Sequence, residues 1–112
     1  MAGTVKRGDI VIVSPQGSYG KPRPAVVIQS DALGGADSVL VSLWTADTTE
    51  APLYRLLVPP TTANGLRAPS QVMVDKIVAL PRDKCSRPVG SLDRGAMIAL
   101  NHMLAVMIGI AD

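Results

Sequence analysis

Residues 17–30 read GSYGKPRPAVVIQS, a glycine- and proline-rich loop that delivers Arg23 to the start of the apolar run Val26-Val27-Ile28. A run of β-branched residues without polar interruption reads as a strand buried on both faces, and therefore as a central strand of a sheet. Pro22 and Pro24 flank the arginine, so two fixed φ angles push its backbone toward the extended region and leave it little freedom. A guanidinium held on such a rigid element suits a phosphate or carboxylate that must be met in fixed geometry. An ordinary surface arginine, paired weakly with a nearby Asp or Glu, fits the same stretch. These residues alone leave both readings open.

Working outward, Ile10-Val11-Ile12-Val13 is nearly all β-branched and predicts a first strand before the irregular loop 14–22. The second strand is expected over Arg23–Ser30, followed by a turn or one short helical turn at Asp31–Asp37, where Gly34 and Gly35 lie. Val39 to Trp44 predicts a third strand with Thr45 at its end, and residues 45–52 read as an exposed loop. Leu53 to Val58 predicts a fourth strand with Tyr54 and Leu56 on one face. The aperiodic stretch 59–69, PPTTANGLRAP, is long enough to suggest a functional or mobile loop. Ser70 to Leu80 reads as a strand pair or one bent strand, interrupted by the charged pair Asp75-Lys76.

Beyond a loop carrying Arg82, Lys84 and Arg87, Ser91 is the expected N-cap of a helix over about Leu92–Ile108, with Asp93 in its first turn. Leu92, Ala96, Ala99, Leu100, Met103 and Met107 form one apolar face, while Ile98, Ala105, Val106 and Ile108 lie elsewhere around the wheel. Such a helix has two partners, its own sheet and another subunit. The expected fold is mainly β: one domain over residues 1–112, a small, strongly bent antiparallel sheet of the SH3-like barrel type, with a C-terminal helix.

Composition removes several function classes. Phenylalanine is absent and only Trp44, Tyr19 and Tyr54 are aromatic, which excludes a ring-rich RNA-stacking sheet. The net charge of +2, from 11 Lys and Arg against 9 acids, permits a polyanionic partner without demanding one. With the single cysteine Cys85 and the single histidine His102 there is no intrachain disulfide and no His/Cys set for zinc. His102, among apolar helical neighbours, reads as a core or interface histidine, since a catalytic one needs a partner. The N-terminus lacks the apolar segment of a signal peptide, and the apolar stretch 96–111 is too short for a bilayer, so a soluble, cytoplasmic protein is expected.

No nucleotide loop and no cofactor motif appears in the chain. What remains is Arg23, Lys21, Thr45, Ser70, Asp75 and Lys76, at strand ends and in loops. These types permit metal-free phosphoryl chemistry on RNA, where the substrate brings its own nucleophile in the 2′-OH. Arg23 can supply the cation and Thr45 a hydroxyl, while Asp75 can act as base or orient Arg23. Spacing alone does not separate this from an ordinary binding module.

The motifs RGDIVIV at 7–13 and RPAVVIQSD at 23–31 resemble the opening of MazF/PemK-type toxins of toxin–antitoxin pairs. SLWT at 42–45, SQVMVDKI at 70–77 and Ser91-Leu92-Asp93 are similar to that family's third strand, its serine-to-acid strand and the start of its last helix. The resemblance implies a sequence-specific, metal-independent endoribonuclease of single-stranded RNA, without cofactor, acting as a homodimer and neutralised by an antitoxin whose disordered tail wraps it. It assigns cleavage to Arg23 and Thr45. In a related branch an arginine and an aspartate two residues apart do this work, and those positions hold Met73 and Asp75 here. The loop 14–22 is shorter than the family's usual one and lacks its common Glu-Gln pair, and Lys76 replaces the usual glutamine.

On this reading Arg23 stabilises the phosphorane, Thr45 hydrogen-bonds a phosphate oxygen and Asp75 is the third catalytic candidate. Lys21, Ser18, Tyr19, Arg67, Ser70 and Lys76 are the expected RNA-binding residues, on or beside the loops 14–22 and 59–69 and on the strand that follows. The alternatives are a non-catalytic gyrase poison of the CcdB type, although the end Ile108 to Asp112 lacks the aromatic such a wedge favours, and a catalytically inactive module of the same fold.

Overall fold

The computed structural model describes residues 4–14, 21–47, 49–50 and 53–112. Its strands are β1 (Asp9–Val13), β2 (Arg23–Val27), β3 (Ser38–Thr45), β4 (Arg55–Val58), β5 (Ser70–Pro81) and β6 (Gly90–Ser91), followed by helix α1 (Arg94–Met107). They form one six-stranded sheet in the order β4-β5-β3-β2-β1-β6. Every ladder is antiparallel. The run that begins at Arg23 is indeed central, flanked by β1 and β3, and Ala25, Val26 and Val27 are buried. The strand stops at Val27, short of Ser30. Asp31–Leu33 then makes the expected short turn, of the 3-10 type.

Alternation along β1, β2 and β3 sends successive side chains to opposite faces of the sheet. Ile10, Val26 and Trp44 join Val72, Val74, Leu92, Leu100 and Leu104 in a core beneath the helix. Val11, Val13, Ala25, Val27, Val39 and Val41 build a second core on the other face, with Leu80 and Cys85.

The stretch from Ser70 is a single bent strand. Trp44 of β3 faces Val72, yet Ser42, two residues back, faces Ile77, so β5 carries extra residues at this irregularity. A bulge of this kind changes which face a side chain takes. Val72 and Val74 accordingly lie in the helix-side core, whereas Leu80 lies in the other and Val78 packs against it. Asp75 and Lys76 fall within the bulge and are exposed. The charged pair therefore sits where the ladder is interrupted.

The two sheet edges meet through the loop after β4. The Ser91 amide of β6 donates to the Ala63 carbonyl at 3.0 Å, which closes the curled sheet into a half-barrel. The crossing is too tight for side chains. A Cβ on Gly90 would lie 2.8 Å from the Ala63 carbonyl oxygen and closer still to Asn64. Gly65, at φ +70°, would place one 2.7 Å from the Val89 carbonyl oxygen. Asn64, buried here, organises the loop: its Oδ1 accepts from the Thr61 and Leu66 amides at 2.9 and 3.0 Å, and its Nδ2 donates to the Pro59 carbonyl at 2.9 Å. The aperiodic stretch 59–69 is thus built around one amide side chain.

Several local expectations change. Ser91 belongs to β6, and the N-cap of α1 is Asp93, whose Oδ1 accepts from the Ala96 amide at 2.7 Å. Strand pairing with β1 claims Ser91 two residues before the helix can begin. Leu53 and Tyr54 lie in a turn ahead of β4, and Tyr54 is exposed, apart from the packed Leu56. His102 is exposed rather than in the core. Leu104, outside the expected helical face, is buried beside Leu100, while Ile98, Val106 and Ile108 remain exposed. Among the described residues no helix is long and apolar enough to cross a membrane.

Replacing Asn64 by Ala strips partners from two amides and a carbonyl that are partly buried around it. We expect a loss of about 3 kcal/mol, since each unsatisfied buried group costs about 1–3 kcal/mol. Urea denaturation measures it, and an unchanged midpoint would contradict this account of the loop.

Candidate active site

Arg23 opens β2, where it pairs with Val13 of β1. The β2–β3 ladder matches Ala25 with Leu43, and two residues further the same register sets Arg23 against Thr45. Neighbouring strands lie about 4.8 Å apart, so the two Cα positions are close enough for both side chains to meet one phosphate. Both project to the face opposite the helix, since Ala25 and Val27, in step with Arg23, and Leu43, in step with Thr45, pack in or against the second core. Thr45 in turn faces Gln71 of β5, and Gln71 faces Leu57 of β4. One row of the sheet thus runs from the arginine to the edge strand.

The hydroxyl is oriented from behind. Thr45 Oγ1 accepts from the Asp47 amide at 3.2 Å, which leaves the hydroxyl proton available for a phosphate oxygen. The following turn is tied down: Asp47 Oδ1 accepts from the Thr49 hydroxyl at 2.6 Å and from its amide at 2.9 Å. These bonds, the hydroxyl first, then the amide, and the nearby charge of Arg55, hold the Asp47 carboxyl below its ordinary range. Gln71, buried beside Thr45, donates from Nε2 to the Thr49 carbonyl at 3.1 Å and so anchors the same turn.

The other expected site residues are distributed unevenly. Lys21 and Arg67 are exposed in loops, and Asp75 and Lys76 are exposed on the β5 bulge. Ser70 pairs with Val58 on the helix side of the sheet, away from Arg23 and Thr45, and its hydroxyl donates to the Ala68 carbonyl at 3.4 Å. Ser18 and Tyr19 lie outside the described residues, as does most of the loop 14–22. Two residues of this face escaped the sequence reading. Gln71 carried no signal, whereas Arg55, directly across from Met73, was visible as a charge inside the apolar run 53–58.

A groove of about 560 Å³ lies on the opposite side of the sheet, between α1 and the segment after β2, lined by Ile28, Leu33, Leu40, Ile77, Leu104 and Ile108. Its lining is apolar and holds neither Arg23 nor Thr45, so size does not identify the chemical site here. Among the described residues no group of three or more His, Cys, Asp or Glu is arranged to hold a metal ion.

A curled antiparallel half-barrel with one C-terminal helix is the fold of a class of small toxins. Residues 6–108 match the family described as PemK-like, MazF-like toxin of type II toxin-antitoxin system, and the chain belongs to that family. It is 40% identical over 108 residues to a Mycolicibacterium smegmatis protein named "Probable endoribonuclease MazF", covering 96% of this chain and 99% of that one. In fold it is similar to an endoribonuclease solved in complex with its cognate antitoxin from a mycobacterial species, with a TM-score of 0.77 at 20% identity, covering 95% and 96% of the two chains. It is equally similar to MazF from Deinococcus radiodurans, with a TM-score of 0.77 at 18% identity over 96% and 98% of the chains. These similarities favour the RNA-cleaving expectation over the gyrase poison.

Cys85 takes no part in this site. Its thiol is buried in the second core, and burial pushes its pKa up, opposed by a smaller pull from the Arg82 charge and aided by a smaller push from Asp83. The neutral thiol therefore persists above its usual range, and only the thiolate reacts readily. Iodoacetamide at mildly alkaline pH should label Cys85 far more slowly in the native protein than after denaturation in urea. Equal rates would show that the thiol is accessible.

Proposed function

We propose that the chain is a toxin endoribonuclease that cleaves single-stranded RNA through attack of the RNA's own 2′-OH on the adjacent phosphate. The observation that carries this reading is the β2–β3 register, which, continued two residues past Ala25 and Leu43, brings Arg23 and Thr45 together on one sheet face. The 2′ oxygen bonds to phosphorus and loses its proton, the bond from phosphorus to the 5′ oxygen breaks, and that oxygen takes up a proton. The products are a 2′,3′-cyclic phosphate and a 5′-OH. Negative charge builds on the non-bridging oxygens of the phosphorane, where a guanidinium held on a strand stabilises it without reorganising. Arg23 is that guanidinium and also supplies the proton that the leaving oxygen takes up. Thr45 donates its free hydroxyl proton to a phosphate oxygen.

Asp75 is the carboxylate we assign to the proton of the 2′-OH, from its exposed place on the β5 bulge. Lys21, Arg67 and Lys76 hold the RNA backbone by charge, and Ser18 and Tyr19 complete the expected contacts, whereas Ser70 lies on the other face of the sheet. In this reading the toxin acts in the cytoplasm and has two protein partners. One is a second copy of the chain, covering the apolar residues left exposed on α1, where Ile98 and Val106 are 50% and 60% exposed. The other is a cognate antitoxin, as in the mycobacterial complex of similar fold.

The test incubates the protein with a long single-stranded RNA in EDTA, beside Arg23→Ala, and maps the new ends. The wild type should cut at discrete sites and leave cyclic phosphate ends. The variant should be slower by about 10²- to 10³-fold, the usual effect of losing a preorganised donor, with an unchanged melting temperature. Absence of cutting by folded wild-type protein on varied RNAs would refute the reading. Full activity of Arg23→Ala would refute the residue assignment.

A further inference from the structure

We propose that Arg55 is a second phosphate-binding residue of the RNA site, gripping the backbone phosphate beside the one that Arg23 and Thr45 attend. The inference rests on the endoribonuclease reading and extends it to a residue on the edge strand.

Placement is the first ground. Arg55 faces Met73 across the β4–β5 ladder, and the next row outward of the same face is Leu57, Gln71 and Thr45. Arg55 is therefore two strands across and two residues along from Thr45. With about 4.8 Å between strands and about 3.4 Å per residue, the Cα separation is about 12 Å along the sheet. An extended arginine side chain covers roughly half of that, which leaves its guanidinium at the rim of the same site.

The second ground is an unmet donor. Arg55 is only partly exposed, and its Nε is buried with no acceptor among the described residues. Leaving a charged donor buried without a partner is costly, and the natural remedy is an anion that accepts from the guanidinium edge. The nearby Asp47 feels the charge of Arg55, but its Oδ1 is turned to Thr49 and it does not bond the Arg55 Nε. A phosphate oxygen pair matches the geometry of the guanidinium fork. Its cross-strand neighbour on the same face is the buried Met73, an apolar side chain of the kind along which an arginine stem can lie.

The experiment uses the RNA cut by the wild type, remade as an oligonucleotide with 2′-deoxyribose at the cleaved nucleotide so that binding is measured without cleavage. Kd is followed against KCl concentration for wild type, Arg55→Gln and Arg55→Lys. For single strands the slope of log K against log salt changes by about 0.7 per phosphate contact. Arg55→Gln should lower the slope by that amount and weaken binding about tenfold, as expected for a charge-assisted hydrogen bond. Arg55→Lys should restore the slope but only part of the affinity, because a point charge replaces a fork. On cleavable RNA the glutamine variant should raise KM with little change in kcat. Arg55→Met, which keeps the stem over Met73, replaces the glutamine variant if that one unfolds.

An unchanged slope and KM in a folded variant, with wild type cutting RNA normally, would make Arg55 an edge-strand charge and leave the function standing. A wild type that neither cuts nor binds RNA would remove both.

Discussion

The architecture depends on the backbone crossing at Gly90, where β6 lies against Ala63 and Asn64 with no room for a side chain. A sheet of six strands has two edges with unpaired amides and carbonyls, and this one covers them by drawing the loop after β4 across to β6. The contact does more than seal an edge. The chain leaves Ser91 directly into Leu92 and the Asp93 cap, so the seam sets where α1 starts and which side chains it lowers onto the sheet. Leu92, Leu100 and Leu104 reach the core of Ile10, Trp44 and Val72 from that starting point.

The bulge in β5 has the complementary role of dividing the strand's duties. Before it, Val72 and Val74 serve the helix-side core, and Gln71 and Met73 belong to the face of Thr45. After it, Val78 and Leu80 serve the second core. A continuous ladder could not place apolar residues on both sides of so bent a sheet without also burying Asp75 or Lys76. The charged residues occupy the interruption, exposed, on the strand that borders the arginine and threonine row. The two faces differ in kind: one carries the row of Arg23, Thr45 and Gln71, and the other an apolar groove and the helix.

Much of this was legible residue by residue. The β-branched runs at 10–13 and 26–28 announced the first strands, and the Arg-Pro motif, with the motifs around Thr45 and Asp75, carried the family. Local pattern misled where tertiary pairing overrode it. Ser91 has the chemistry of an N-cap but is taken up by β1, and Tyr54 alternates correctly with Leu56 yet precedes the strand. His102 sits among apolar residues in the chain and still faces outward, because the helix buries a narrower stripe than its composition suggests. Asn64 and Gln71 carried no signal at all, since a buried amide is recognised only by the backbone groups that converge on it.

By itself the sequence determined the class of fold and the rough place of its first five strands, and it offered the residues whose chemistry suits a phosphate. These follow from side-chain type, from period along the chain and from motifs, all of which are local. Only the tertiary structure decided that the β2–β3 register carries Arg23 toward Thr45, that Ser70 lies on the other face, and that Arg55 shares their face two residues beyond the row. Those facts depend on register between segments far apart in the chain, and register is set by the bulge at Asp75-Lys76 and the seam at Gly90. Neither can be read from one strand alone, because each is a relation between two backbones.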